Sequence, residues 1–502
     1  MTTLAPPRDA ARPGAADRPV PRAARWPLAA LWCAVAAYAA VFSWLSIQRH
    51  RAFFTGRLDL GNMLQAAWTT AHGDPLSTTD LAGRQISRLS VHVDPLLALL
   101  APVVRLWPQP VALLVVQAAA VALGAVPVFL LGRRWLRDDR LALAGAALYL
   151  LYPPLQWATV TEFHPVTLAA PLLAGAIWAA DAGRYGWLAA TAGLALLAKE
   201  EVGMALVVLG IWMAVRGRRR AGAWLAGVSA AWVAIAVAVV IPAAGDGGSP
   251  LASRYSTLGD GPGGALRGLV VRPWEGPEAL ARDWRYLLAL LVPLLLLPLG
   301  APLLAAGALP EVLVNVLSSH APQHEIIYHY AAVPAPFLVA ASVVAVARLR
   351  ERARPALMRR ALGPAVPVAL GMVAVAWASG VHLGPLPWWQ DLPGGSDTRT
   401  YEYIVTRHAE ALARAVAVIP DGEPVSASNA MAAHLSARRR VMVFPVVADA
   451  RWVAFDIGRA PLGLEVGPFR HAVGVVSFQL ARRDFRLVYA ENGAMVFRRA
   501  AA

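Results

Sequence analysis

Across 502 residues the chain has one lysine, Lys199, and one cysteine, Cys33. A single cysteine excludes an intrachain disulfide, and its place in an apolar run leaves the redox compartment unread. Charge is scarce too: 15% of residues are charged against 58% hydrophobic, with a mean hydropathy of +0.51. That balance excludes an ordinary soluble domain. Acidic residues are outnumbered 31 to 46, giving a formal charge of +15. The arginines nevertheless stand in short clusters between apolar runs rather than along an aromatic-interleaved groove, so no nucleic-acid partner is expected. Neither a Gly-x-Gly-x-x-Gly fingerprint nor a phosphate-cradling lysine loop occurs, so no nucleotide cofactor is assigned.

What is present is a series of apolar runs. Residues 26–47 match the roughly 20 residues a bilayer requires and read as an uncleaved signal anchor. Ten more runs follow, at 110–131, 141–158, 166–180, 187–198, 202–215, 221–241, 286–299, 302–317, 331–347 and 361–381. The chain therefore reads as a polytopic α-helical membrane protein of about 11 transmembrane helices, in the plasma membrane. Alternating the runs places the arginines near 133–140, 216–220 and 348–360 on one side with the basic tail, 1–25, which reads as disordered and cytoplasmic. The membrane domain spans 26–382. Its outer loops, 48–95 and 242–285, and a small α/β domain at 383–502 then fall outside the cytoplasm. That domain is expected from short strands alternating with helices, at 398–419, 424–428, 429–436, 441–444, 452–456 and 469–481, and from a closing Asn492-Gly493 turn. Asp421, Asn429 and His434 suit either a sugar cleft or plain loop solvation.

Charges inside apolar segments are costly and mark candidate sites. Lys199-Glu200-Glu201 interrupts one such segment, and the bland alternative is an ion pair at a helix end. In the first outer loop Asp59 precedes an amphipathic stretch through Trp68, where it suits either a helix start or a proton acceptor. Arg88 leads to His92 and Asp94, which alternate as on an extended segment. An apolar stretch too short to span, 96–107, follows and reads as re-entrant. Glu162 and His164 precede a proline, Pro165, that ends one helix or starts the next. Glu311 and Asn315 precede a turn carrying His320, His324, His329 and Tyr330. A divalent cation is one role open to these histidines, although Pro322 spoils a regular His320/His324 pair. Trp107, Trp157 and Trp274 suit interface anchors or sugar-stacking surfaces.

Together, Asp59-Leu60-Gly61 with Gln65 and Trp68, His92-x-Asp94-Pro95, Gln117, Tyr152-Pro153, Glu162-Phe163-His164-Pro165, Lys199-Glu200-Glu201, Pro310-Glu311 with Asn315, His329-Tyr330 and residues 426–438 resemble a bacterial and archaeal membrane family labelled domain of unknown function 2079. The likeness runs from about residue 53 onward. That family in turn resembles the glycosyltransferase C superfamily, which implies many helices, a catalytic acid in the first outer loop and a polyprenyl-phosphate-linked sugar donor in the membrane lipid. On that implication Asp59 is the first choice for general base and Glu162 the second. Lys199, Arg88 and Arg254 would bind the donor phosphate. His92, Asp94, His164, His324 and His329 would orient the acceptor or hold a cation, with Glu200, Glu201, Glu311, Asn315 and Tyr330 in support. A transporter coupled through Lys199 and its carboxylates, or a noncatalytic lipid- or glycan-binding protein, stays open. Oligomeric state is not readable.

Overall fold

The computed structural model describes residues 25–245, 250–352, 365–395, 399–457 and 485–500. The tail 1–24, Arg354, Arg359, Arg360 and the helix expected at 469–481 lie outside those residues. Among the described residues five helices are long and apolar enough to cross a membrane: Arg25–Arg51, Pro110–Leu136, Pro165–Ala182, Arg219–Ala244 and Ala365–Leu383. Shorter apolar helices, Tyr185–Leu196, Val202–Val215, Trp284–Leu294 and Pro302–Leu317, pack among them. Helix Arg25–Arg51 shows how the bundle sorts its faces. Leu31, Val35, Tyr38, Phe42 and Leu45, three or four residues apart, are buried, while Trp32 and Trp44 on the other side are about half exposed. Such a stripe turns one face to protein and leaves the other to lipid. Helix Pro334–Arg352, by contrast, is buried without a break from Pro334 to Ala347 and forms the middle of the bundle.

Two runs differ from the sequence expectation. Residues 141–158 are two helices, Asp139–Leu150 and Pro153–Val160. Pro153 and Pro154 lack the N–H groups that would continue the first helix, and they start the second instead. The run at 286–299 also breaks, because Leu295 and Leu296 take left-handed backbone angles, φ +53° and +56°. Residues 96–107 form two short helices, Leu96–Leu99 and Ala101–Leu106. Helices Val202–Val215 and Arg219–Ile235 cross in backbone contact, since a Cβ on Gly210 would stand 2.6 Å from the Gly222 carbonyl oxygen. Small residues allow this close helix approach in a membrane.

The first outer segment contains helix Asn62–Ala71 and a two-stranded antiparallel ladder of β1 (Ser77–Thr79) and β2 (Gln85–Ser87), which the sequence did not announce. Near the C-terminus a five-stranded sheet has the order β4-β3-β5-β7-β6, with β3 (Val425–Ala427), β4 (Val441–Val443), β5 (Trp452–Asp456), β6 (Phe485–Glu491) and β7 (Ala494–Arg499). The first three strands are parallel, and helix Asn429–His434 joins β3 to β4. The last two close an antiparallel hairpin on Asn492-Gly493, both at positive φ, as a tight two-residue turn demands. A buried ion pair ties the sheet region to the bundle: Arg49 Nε lies 2.7 Å from Glu402 Oε2, and Arg49 Nη1 donates to the Thr161 carbonyl at 2.6 Å.

Candidate functional site

Apolar helices cannot hold a polar turn by themselves, so the turn bearing Asp59 is held from three directions. Arg57–Gly61 forms a single π-helical turn ahead of helix Asn62–Ala71, a geometry frequent at functional sites. From the bundle, Glu162 Oε2 accepts hydrogen bonds from the backbone N–H groups of Gly56 and Leu60, both at 3.0 Å. From the sheet region, Asn429 Oδ1 accepts from Leu58 N at 3.2 Å. Gly56 permits this approach, because a Cβ there would lie 2.5 Å from Asn429 Nδ2. Within the turn, buried Arg57 donates to Gln65 Oε1 at 2.5 Å and the Thr79 carbonyl at 2.9 Å.

Glu162 is itself fixed by a residue buried in the next helix. Gln117 Nε2 donates to the carbonyls of Thr159 at 2.9 Å and Glu162 at 2.6 Å, and Gln117 Oε1 accepts from His164 N at 2.9 Å. Pro165 then starts helix Pro165–Ala182, with His164 extended before it, as a residue preceding proline prefers. This places His164 Nε2 3.3 Å from Asp59 Oδ1. The His164 ring stacks on His329 at 3.6 Å between centroids, and His329 leans on Tyr330.

The two carboxyl groups of this centre differ. Glu162 is buried, whereas the Asp59 side chain is 52% exposed. Burial and the Asp59 charge push the Glu162 carboxyl up to about 8, against Arg49 and the two backbone amides. Burial also raises Asp59, but His164, Arg88 and Arg254 outweigh it and hold Asp59 below the ordinary carboxylate range. At neutral pH Asp59 is therefore charged and Glu162 largely protonated. Burial, with His164 and Lys199 adding to it, keeps the His329 ring neutral.

The remaining candidates split by partner. Arg88 is taken up by Asp94 in a buried pair, Nε and Nη2 at 3.0 and 2.9 Å from Oδ2. His92 Nδ1 and Val93 N meet the two oxygens of Glu200, each at 2.9 Å. Burial pushes Glu200 up, but His92 and Lys199 prevail and hold it near 2. His92 and Asp94 thus serve different partners. Lys199 Nζ is 2.5 Å from Glu201 Oε1, and Glu201 also hydrogen-bonds Glu311. Asn315 donates to the Tyr286 hydroxyl at 3.0 Å and to the Tyr330 carbonyl at 3.3 Å. Among the described residues the Arg254 side chain makes a long contact to Gln323 Oε1, 3.4 Å, and a bond with Tyr330, and its charge reaches Asp59.

His324 is bound to Asp283 Oδ1 at 3.2 Å and the Ser318 carbonyl at 2.9 Å. One expectation needs correcting. Trp157 is neither anchor nor sugar platform: it is buried and donates to the Leu383 carbonyl at 2.6 Å. Among the described residues no three of His, Cys, Asp and Glu form a metal-binding group, so the candidate histidines do not make one set. Asp421 and His434 line a half-open cavity of about 890 Å³ together with Phe53, Trp68 and Glu410, whereas Asn429 braces the Asp59 turn. Sequence reasoning did not assign that bracing to Asn429 or Gln117. A buried amide within an apolar helix was the available signal for Gln117.

A family model described as "Predicted membrane protein (DUF2079)" matches residues 49–456. No curated protein sequence matches the chain. Among solved structures, ArnT from Cupriavidus metallidurans in the apo state is similar with a TM-score of 0.47 and 14% identity, over 94% of this chain and 98% of its own. The Archaeoglobus fulgidus oligosaccharyltransferase, in complex with zinc and sulfate, is similar with a TM-score of 0.44 and 14% identity, over 92% and 73%.

Proposed function

The chain belongs to the family of predicted membrane proteins labelled DUF2079, and on that premise we propose that it is an integral membrane glycosyltransferase, moving a sugar from a polyprenyl-phosphate donor to an extracytoplasmic acceptor. The observation that carries this reading is the accessible, charged Asp59 carboxylate within a centre whose other acids are buried or paired. An acceptor hydroxyl attacks the anomeric carbon and passes its proton to Asp59. The bond from that carbon to the phosphate oxygen breaks, and its electron pair leaves with the polyprenyl phosphate. A positioned carboxylate contributes roughly 10²- to 10⁴-fold to such a step.

Glu162 is a positioning residue in this account, since both amides it holds belong to the Asp59 turn. His164 orients Asp59. The departing phosphate gathers negative charge, and a preorganised cation favours the transition state over the ground state. Arg254, the least committed of the three candidate cations, meets the phosphate directly. Lys199 acts from its pair with Glu201, and Arg88 keeps Asp94 and its loop in place. One accessible base without a second free carboxylate suits a single displacement, with inversion at the anomeric carbon. No step passes through a metal.

The test is direct. Full-length protein in lipid vesicles is incubated with a panel of radiolabelled polyprenyl-phosphate sugars, and label leaving the lipid is followed. Transfer from at least one donor supports the proposal. Retention of label on every donor by folded protein refutes it.

A further inference from the structure

At the far end of helix Pro165–Ala182, about 27 Å from His164 at the helix rise per residue, arginines from two separate chain segments meet Asp181, and Arg348 from a third acts on Arg216. Arg134 Nε lies 2.9 Å from Asp181 Oδ2, and Arg216 Nη1 lies 3.4 Å from Oδ1. Arg218 donates to the carbonyls of Ala180 and Asp181, the latter at 2.8 Å, and Arg348 donates to the Gly300 carbonyl at 2.9 Å. The charges of Arg134, Arg218 and Arg348 all act on Arg216. Two guanidiniums thus share one buried carboxylate, Arg218 and Arg348 add their charge beside it from backbone carbonyls, and among the described residues neither of those two forms an ion pair. Positive charge at this end of the bundle exceeds its internal partners.

The surroundings indicate what completes it. Arg216 lies between Trp135 and Trp212, 4.9 Å from each ring centre, and it remains partly exposed. Tyr185, Trp187, Val215 and Trp224, close in sequence to the arginines, expose half or more of their surface. A soluble phosphate would satisfy the guanidiniums alone. A ligand with a phosphate head and apolar chains would satisfy both halves, and arginine's planar fork suits phosphate oxygens. We infer that the Asp181 end of the bundle is a binding site for an anionic phospholipid, its headgroup phosphate held by Arg216, Arg218 and Arg348 and its acyl chains laid against the exposed aromatic and aliphatic side chains. This site is separate from the Asp59 centre and does not rest on the proposed reaction.

The experiment uses full-length protein in mild detergent. Cardiolipin, phosphatidylcholine or inorganic phosphate is added, and bound lipid is counted by native mass spectrometry alongside the thermal transition. Cardiolipin is expected to be retained and to raise the transition, with phosphatidylcholine and inorganic phosphate doing neither. Each basic side chain near a charged lipid surface is worth about a fivefold change in retention. Arg216→Gln with Arg348→Gln should therefore lower cardiolipin retention by about 25-fold. Arg414→Gln, which removes an arginine paired with Glu491 near the sheet, should leave it unchanged. Asp181→Asn, by deleting the competing carboxylate, should strengthen retention, an effect opposite in sign to general destabilisation. If the double variant does not fold, Arg216→Lys, which keeps the charge and loses the fork, should show a partial loss. Equal retention in the variants and wild type, or an equal response to phosphatidylcholine or inorganic phosphate, overturns the inference.

Discussion

The two ends of helix Pro165–Ala182 handle charge in opposite ways. At the His164 end, polar groups are matched to named partners: Glu162 to two amides, Arg88 to Asp94, Glu200 to His92 and Lys199 to Glu201. Asp59 alone keeps an accessible carboxylate there. At the other end two arginines share one carboxylate, and two more, Arg218 and Arg348, are anchored on backbone carbonyls. The first arrangement fixes positions to within a hydrogen bond, as bond-making chemistry requires. The second fixes only a field, which suffices for a membrane surface. Substitutions at the Asp59 centre should therefore act individually and steeply, whereas those at the Asp181 end should act by small, summing steps.

The largest effect is expected from Glu162→Ala, which strips the acceptor from two buried N–H groups. Each buried donor left unsatisfied costs about 1 to 3 kcal/mol. Label transfer should vanish and the thermal transition should fall, both measured on the same preparation. Next comes Arg254→Gln. With a weak contact to Gln323 as its main tie, the side chain contributes little to folding. Its loss should lower kcat/KM by roughly 10- to 100-fold, the scale of one or two charge-assisted bonds to phosphate, with an unchanged thermal transition. Asn429→Ala removes one amide acceptor from the Asp59 turn at a cost of about 1 kcal/mol, so transfer should drop about fivefold. A normal rate in that variant would show that the sheet region does not brace the site.

A separate effect concerns pH. The Glu162 carboxyl is raised from 4.5 to about 8 in the fold. Its protonated form therefore contributes stability that is full below about 4.5 and is lost as pH rises through about 8. Thermal transitions followed from about pH 6 to about pH 9 should decline for wild type and be flatter for Glu162→Gln, which stays neutral throughout. An identical slope in both proteins would assign the decline to other groups.

Much of this centre was legible as polar islands in apolar sequence. Asp59-Leu60-Gly61, Glu162-Phe163-His164, Lys199-Glu200-Glu201 and His329-Tyr330 stand out because charge within a membrane run is expensive. The strands at 425–427, 441–443 and 452–456 followed from short apolar β-formers bounded by turn residues. Pairings were not legible. Nothing local links Glu162 to Gly56 and Leu60 or Asn429 to Leu58, since these bonds close loops of more than 100 residues. Periodicity likewise missed the left-handed Leu295 and Leu296, where leucines suggest unbroken helix. The β1-β2 ladder shows no apolar alternation, because Thr79 is placed by its bonds to Gln65.

The most direct measurement compares wild type with Asp59→Asn in the vesicle assay, donor binding being recorded on the same samples. Asparagine keeps the size and cannot take the proton, so label transfer should fall roughly 10²- to 10⁴-fold while donor binding and the thermal transition hold. An Asp59→Asn variant that transfers sugar at the wild-type rate would contradict the account.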